Sequence, residues 1–419
     1  MIQDMATLFP GSRHEKRQDV SSAHGLLEQG GFIRAVGSGV YTLLPLGWLV
    51  HKRITDLVYD RMATTGVQNI QMPLLHPVEL WAKTGRLDHG LASKTIFTTE
   101  DPRAGKRYIL SPTAEEVVTA LVAAEIQSWR DLPLSLHQIA TKFRAEIRPH
   151  SGLLRCREFV MSDAYSFDKD ENGMHDSVAM FGAMYNELFR HVGVAPIIPV
   201  QANNGDIGGK GSTELMLACD VGEDTLLVCE SCGFGSNVEA VEDPESVECP
   251  VCKTQSLMRR KGMELGHVFS LQTTYSDTMN AGYTDADGQK RRIWMGCYGL
   301  GTTRLMQAIA EVNRDNKGLM WPTTVAPYDV HVIATKPDDP CQVEVMSRLT
   351  TALDNAGLSA LLDCRSVSTG VKFKDADLIG CPWRVTIGRD AATGAVEVSS
   401  RSGETPVIVK PDEVPSMIR

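Results

Sequence analysis

Four cysteines are spaced in a pattern that predicts a metal site. Cys229, Cys232, Cys249 and Cys252 form two C-x2-C pairs separated by sixteen residues. This spacing can bring four thiolates to one tetrahedral point, which is the ligand set of a closed structural zinc site. A closed four-sulfur site leaves no position for a substrate, so we expect the metal to support folding or docking. The alternative is two unrelated pairs of reduced thiols.

A predicted hairpin carries several arginines that could bind phosphate or carboxylate groups. Arg144 and Glu146 lie where its first strand ends, and Arg148 and Arg155 lie in the loop that follows. A guanidinium group offers paired donors to a phosphate, and a strand holds that group in place. A surface hairpin with ordinary ion pairs remains the alternative.

A glycine-rich segment between a predicted strand and a predicted helix is a second candidate for phosphate binding. Gly299 and Gly301 are followed by Arg304 at the start of the helix. The third glycine of a dinucleotide-binding fingerprint is absent, and no βαβ unit surrounds the segment. The pattern favours a close approach of the backbone to a nucleotide, with Arg304 reaching a phosphate.

The segment from 111 to 116 offers both a helix cap and a free carboxylate. Thr113 and Glu116 have the spacing of a capping box, which requires no function. Glu115 is not used by that cap, so it could bind an ammonium group at the mouth of a site.

Composition indicates an ordinary globular protein with two or three domains. The chain has 419 residues, 42% hydrophobic and 22% charged, and a formal net charge of −10. The negative charge argues against indiscriminate coating of nucleic acid. No apolar run reaches membrane-spanning length, and six scattered cysteines beside the zinc pattern suggest a reducing compartment. We therefore expect a cytoplasmic protein with no membrane partner.

Hydrophobic periodicity outlines the elements that must position these residues. Helices are predicted at 48–65, 114–130 and 174–192, and strands at 67–72, 136–144, 158–161 and 293–297. A glycine turn after the last of these strands leads into a further helix that runs to about residue 312. Prolines at 322 and 327 mark a boundary. Beyond it, strands and helices alternate, which predicts a small α/β domain with a mostly parallel sheet.

Taken in order, these segments resemble the bacterial-type prolyl-tRNA synthetases of class II. The likeness rests on Met72-Pro73, on the segment 111–116, on FRAEIRPHSGLLRCREFVMSDAYSF (143–167) and on GCYGLGTTR (296–304). It implies an α+β catalytic domain with an antiparallel class II sheet, a zinc-ribbon-like insertion and a C-terminal α/β anticodon-binding domain. The predicted boundaries are 1–224 and 259–325 for the two catalytic parts, 225–258 for the insertion and 326–419 for the last domain.

The resemblance also implies ligands and residue roles. The ligands would be ATP, Mg²⁺, structural Zn²⁺, proline and the proline tRNA, and the protein would be a homodimeric ligase in protein biosynthesis. Catalysis would depend on Arg144, Glu146 and Arg304, with Phe159, Gly299 and Gly301 completing the ATP site. Proline would be bound by Thr113, Glu115, Arg144, Glu214 and His267, and the tRNA by Arg148, Arg155, Arg365, Lys372 and Phe373.

Several departures from the family pattern leave two alternative functions open. Ser162 and Thr274 replace lysines, Thr213 replaces a histidine, and His150 replaces an arginine. The cysteine module stands where the family usually has a large editing domain, so we expect no removal of mischarged alanine in cis. The alternatives are a paralogue that activates a proline analogue or another amino acid, and a non-catalytic RNA-binding or sensor relative.

Overall fold

The computed structural model describes residues 1–11, 22–87, 96–202, 205–241, 248–254, 257–403 and 405–418. The chain divides into two compact units. The first unit comprises Met1–Val36, Tyr41–Ile54 and Met306–Arg419, and the second comprises Gly37–Val40 and Thr55–Leu305. The domain boundaries expected from the sequence stay a prediction.

A nine-stranded sheet, which we call the central sheet, forms the middle of the second unit. Its strands lie in the order Ser212–Ala218, Ile197–Ala202, Gly235–Asn237, Asp224–Cys229, Leu257–Gln272, Trp294–Gly301, Glu158–Asp168, Leu134–Phe143 and Gln68–Asn69. All pairings are antiparallel except Ile197–Ala202 with Gly235–Asn237, and Gln68–Asn69 with Leu134–Phe143. The predicted antiparallel sheet is therefore confirmed, apart from these two parallel pairs.

The long helix Glu171–His191 packs against the central sheet and is anchored by aromatic side chains. Asp170 begins this helix by accepting a hydrogen bond from the Gly173 amide at 2.9 Å. Phe181 stacks on Tyr298 with ring centroids 3.8 Å apart. Because the helix covers the sheet there, the strand Glu158–Asp168 is continuously buried over its second half.

The second unit contains further elements around the central sheet. A three-stranded sheet consists of Leu75–Pro77, Arg107–Leu110 and Thr98–Glu100, and a hairpin pairs Gly282–Thr284 with Lys290–Arg292. Helices are Val78–Thr84, Glu115–Glu125 and Thr274–Thr278. The helices Pro45–Thr64 and Thr302–Val312 and the paired strands Ile33–Gly37 and Val40–Leu43 each include residues of both units.

The first unit is built on a six-stranded mixed sheet. Its order is Ile2–Asp4, Ala360–Asp363, Val330–Ala334, Trp383–Ile387, Val396–Ser400 and Val407–Val409, and the first four strands are parallel. Its helices are Ala23–Gln29, Pro340–Asn355, Thr369–Ile379 and Val414–Met417. The predicted α/β alternation is confirmed, but the strand from the chain's N-terminus was not predicted.

Several predicted elements differ from the structure in length. The strand predicted at 67–72 is reduced to Gln68–Asn69, because the Met72 amide donates to the Gln138 side chain at 3.0 Å instead of to a strand. The helix predicted at 114–130 ends at Glu125, since Ser128 caps a separate 3-10 turn. Within the described ranges, no helix is long and apolar enough to cross a lipid bilayer.

Candidate active site

Most of the predicted site residues line one open cavity in the second unit, with an empty volume of about 830 Å³. They are Thr113, Glu115, Arg144, Glu146, Arg155, Phe159, His267, Gly299, Gly301 and Arg304. The arginines come from the hairpin and from the start of the helix Thr302–Val312, as the sequence predicted. Arg144 and Arg304 therefore line the same cavity.

Arg304 is fixed by three acceptors at the cavity wall. Its Nε donates to the Leu154 carbonyl at 2.9 Å, and its Nη1 donates to the Glu264 carbonyl at 2.7 Å and to Glu264 Oε2 at 3.1 Å. The preceding glycines differ from the prediction: Gly299 and Gly301 belong to the strand Trp294–Gly301 and not to a turn. The strand itself therefore brings the backbone to the cavity and directs Arg304 into it.

Arg144 and Phe159 lie together on the hairpin side of the cavity. The Arg144 guanidinium carbon is 5.2 Å from the centroid of the Phe159 ring, a cation–π contact. Nearby, Glu146 Oε2 accepts a hydrogen bond from Arg155 Nε at 3.0 Å. Because Arg155 is half exposed and the cavity is open, the Glu146–Arg155 pair could separate so that Glu146 contacts a ligand.

Glu115 is a completely buried carboxylate on the cavity wall. It accepts the Thr113 hydroxyl at 2.6 Å and the Cys297 thiol at 3.2 Å. Burial raises its pKa, but the positive charge of Arg86 and the Thr113 hydrogen bond outweigh that effect and hold the pKa below its ordinary value. The carboxylate is therefore ionised at neutral pH and can bind an ammonium group.

The predicted capping box at this helix is wrong. The helix Glu115–Glu125 begins after Ala114 with no side-chain cap. Thr113 instead donates to Glu115, and Glu116 accepts hydrogen bonds from Thr84 at 2.8 Å and from Arg86. The Thr113 hydroxyl donates to the Glu115 carboxylate instead of capping the helix, because a buried ionised carboxylate requires hydrogen-bond donors.

Sequence reasoning missed several polar residues that line the cavity, among them Asp163, Glu264 and Cys297. Asp163 accepts hydrogen bonds from Gln138 at 3.0 Å and from Tyr165 at 2.9 Å, and it pairs with the buried ammonium of Lys142 at 2.9 Å. Cys297 gave no signal in the sequence, because a cysteine in a strand is usually a core residue.

Glu264, His267 and Glu214 form a second group of potential metal ligands, with their ligand atoms within 4.8 Å of one another. His267 Nδ1 lies 3.2 Å from Glu264 Oε1 and 3.9 Å from Glu214 Oε1. Burial and the nearby charge of Glu264 raise the pKa of Glu214 to about 7. Glu214 lies beside the cavity but does not line it.

The four cysteines converge as the spacing predicted. Their sulfur atoms lie within 4.8 Å of one another, with Cys229–Cys252 at 3.4 Å and Cys232–Cys249 at 3.6 Å. Each C-x2-C pair lies on a tight turn followed by a residue with positive φ, Gly233 at 76° and Lys253 at 61°. Two matching turns that present four sulfurs are suited to tetrahedral zinc.

The predicted tRNA contacts lie outside this cavity except for Arg155. Arg148 is exposed on the hairpin loop. In the first unit, Arg365 pairs with Asp363 and Asp375, at 2.7 Å in each case. Lys372 is fully buried and donates to the Ala334 carbonyl at 2.7 Å, so in this conformation its ammonium group does not reach a phosphate.

Phe373, the last predicted tRNA contact, is partly buried. The Arg384 guanidinium carbon lies 4.9 Å from the centroid of its ring. Its proposed contact with tRNA stays a prediction.

Comparisons with known proteins agree with this architecture. Residues 97–313 match the class II core domain of tRNA synthetases (G, H, P, S and T), and residues 329–419 match an anticodon-binding domain. A prolyl-tRNA synthetase from Giardia lamblia in complex with prolyl-adenylate has the same fold, with a TM-score of 0.78 at 19% identity over 93% of this chain and 75% of that one.

Two curated relatives are proline–tRNA ligases. The one from Synechococcus sp. (strain CC9902) is 30% identical over 91% of this chain and 93% of its own, and that from Sulfurimonas denitrificans is 35% identical over 96% and 95%. The first alignment spans 552 positions, so a long part of that relative has no counterpart among these 419 residues. The second spans 419 positions. The chain therefore belongs to the proline–tRNA ligase family of class II aminoacyl-tRNA synthetases.

Proposed function

We propose that this protein activates proline with ATP and transfers it to the 3′ end of the proline tRNA. The observation that supports this proposal is the single cavity that is lined by Arg144, Arg304 and the buried Glu115 carboxylate. Cationic groups suit a triphosphate, and an ionised buried carboxylate suits the ammonium group of an amino acid. A non-catalytic relative would not need to keep both kinds of group in one cavity.

In the first step, a proline carboxylate oxygen attacks the α-phosphorus of ATP. A new P–O bond forms as the bond to the oxygen that bridges the α- and β-phosphates breaks, giving prolyl-adenylate and pyrophosphate. Arg144 at the α-phosphate and Arg304 at the γ-phosphate would stabilise negative charge as it shifts. Glu146 would accept from the adenine amino group, and Phe159 would stack on the base. The residues act by positioning and charge, with no covalent nucleophile.

In the second step, a terminal ribose hydroxyl of the tRNA attacks the activated carbonyl and AMP leaves. Arg148 and Arg155 on the hairpin would contact the acceptor end; Arg148 is exposed and the Arg155 side chain is half exposed. The matched anticodon-binding domain would hold the other end of the tRNA.

Magnesium would fit beside Glu264. The carboxylate oxygens of Glu264 and Glu214 are hard ligands of the kind that Mg²⁺ prefers, and His267 is the poorer ligand of the three. Bound there with the triphosphate, the ion would neutralise phosphate charge. Glu264 suits this role because its pKa lies below the ordinary value: burial raises it, but His267 and Arg304 outweigh burial.

The cysteine module would hold one structural zinc ion through Cys229, Cys232, Cys249 and Cys252. We further propose a cytoplasmic homodimer, on family likeness, and no editing of mischarged tRNA within this chain. The replacements at 162, 213 and 274 make a proline analogue the main competing substrate.

Amino-acid-dependent exchange of pyrophosphate into ATP tests this function. We expect exchange with proline, and weaker exchange with alanine, because alanine lacks the ring carbons that bury apolar surface. Charging of purified proline tRNA should follow. Exchange with a proline analogue but not with proline would favour the paralogue, and no exchange with any amino acid would favour a sensor.

A further inference from the structure

Arg86, a residue that lies outside the cavity lining, contacts the Glu115 carboxylate from behind. Its Nη1 is 3.2 Å from Glu115 Oε2 and 3.1 Å from Glu116 Oε1. Both carboxylates are fully buried, and the Arg86 side chain is only 11% exposed. Among the cations of the described residues, Arg86 alone lies within ion-pair distance of Glu115.

Aromatic side chains hold the Arg86 guanidinium in place. Its central carbon is 4.7 Å from the centroid of the buried Trp81 ring and 6.0 Å from that of Tyr275. Trp81 is fixed in turn, because its indole N–H donates to His76 at 3.2 Å. The guanidinium is therefore ordered before any ligand binds, which is the condition for a preorganised site.

We propose that Arg86 is the positioning residue of the proline site: it holds the Glu115 carboxylate ionised and oriented toward the cavity. This inference rests on the proposed function. Arg86 does not line the cavity, so it acts on the substrate through Glu115. Glu115 then shares its negative charge between the fixed guanidinium behind it and the secondary ammonium of proline in front.

The other groups around Glu115 cannot replace this cation at neutral pH. They are Glu116, Thr113, Cys297, Tyr165, Tyr275, His76 and Arg144. Burial raises the pKa of the Cys297 thiol and of both tyrosines, so they are neutral donors. Burial lowers the pKa of His76 to about 4, so it is neutral as well. Arg144 is charged but is needed at the phosphate.

Removing the guanidinium should make proline binding depend on pH. Arg86 is the largest influence that opposes burial, so its loss should raise the pKa of Glu115. A protonated Glu115 cannot pair with an ammonium group, so proline binding should be weak at low pH and recover as the pH rises. In the wild type the pKa of Glu115 is lowered, so the carboxylate is ionised throughout the range from pH 6 to 8.5.

The test compares Arg86→Met and Arg86→Lys in pyrophosphate exchange between pH 6 and 8.5. We expect Arg86→Met to raise the KM for proline by at least about 30-fold at the lowest pH, with a smaller increase as the pH rises. The KM for ATP should change by less than about twofold. Arg86→Lys should retain part of the proline affinity, since the lysine ammonium keeps the positive charge but lacks the paired N–H donors of the guanidinium.

Arg401→Met is the matched control, because Arg401 is a 9% exposed arginine paired with Asp315 in the first unit. It should lower thermal stability without changing the KM for proline. A proline KM unchanged in both Arg86 variants, or proline and ATP KM values that rise together, would refute the positioning role. If Arg86→Met does not fold, the change in the proline KM of Arg86→Lys, compared with the change in its ATP KM, decides alone. No proline exchange in the wild type would refute the proposed function, and this inference with it.

Discussion

Replacement of Arg304 by alanine is expected to lower kcat/KM for pyrophosphate exchange by about a thousandfold or more. Arg304 lies at the start of a helix and lines the same cavity as Arg144. A preorganised cation at a transferring phosphate commonly contributes this much, because its charge is already oriented when the transition state forms. Steady-state exchange with proline as substrate measures the effect.

The design of this experiment must separate chemistry from folding. Arg304 also donates to the Leu154 carbonyl and to Glu264, so its loss leaves acceptors without partners. Arg61→Ala is the matched control, since Arg61 forms a partly exposed ion pair with Glu187 in the same unit, and less than a twofold change is expected. An Arg304→Ala protein with native thermal stability and near wild-type exchange would exclude the assigned role.

Replacement of Cys249 by serine is expected to remove the zinc ion. Three remaining thiolates cannot close the tetrahedron, so zinc content should fall from about one ion per chain to about a tenth of that or less. Elemental analysis of protein purified without added metal gives the number directly. Because metal binding and folding of such a small module are coupled, thermal stability should fall in parallel.

Cys341→Ser is the control for the cysteine replacement. Cys341 is exposed in the helix Pro340–Asn355 and lies outside the metal cluster. Its replacement should leave the zinc content unchanged. Retention of a full equivalent of zinc by the Cys249→Ser protein would show that these four sulfurs do not hold the metal.

The sequence predicted the components of the site better than it predicted their contacts. Arg144, Arg304 and the cysteines were found because their chemistry depends on local spacing and on strand or helix ends. The cap predicted for Thr113 is wrong, because a capping box and a buried Thr–Glu pair have the same local pattern. Only burial distinguishes the two, and burial is a tertiary property.

Residues that act through partners distant in sequence could not be predicted from local patterns. Arg86 contacts carboxylates about thirty residues away. Lys372 carries a charge that usually indicates the surface, yet it is buried with the Ala334 carbonyl as its acceptor. The N-terminal strand joins the sheet beside Ala360–Asp363, which lies more than 350 residues later. Such pairings depend on the whole fold, so no sequence window contains them.

A crystal structure with a non-hydrolysable prolyl-adenylate analogue would show whether Arg144 and Glu115 bind the phosphate and the proline ammonium in one cavity. We expect the phosphate to lie within about 3.2 Å of the Arg144 guanidinium nitrogens and the secondary ammonium to lie at a similar distance from a Glu115 oxygen. The adenine should stack on Phe159. An analogue bound outside this cavity, or bound within it with the proline ring turned away from Glu115, would contradict these assignments.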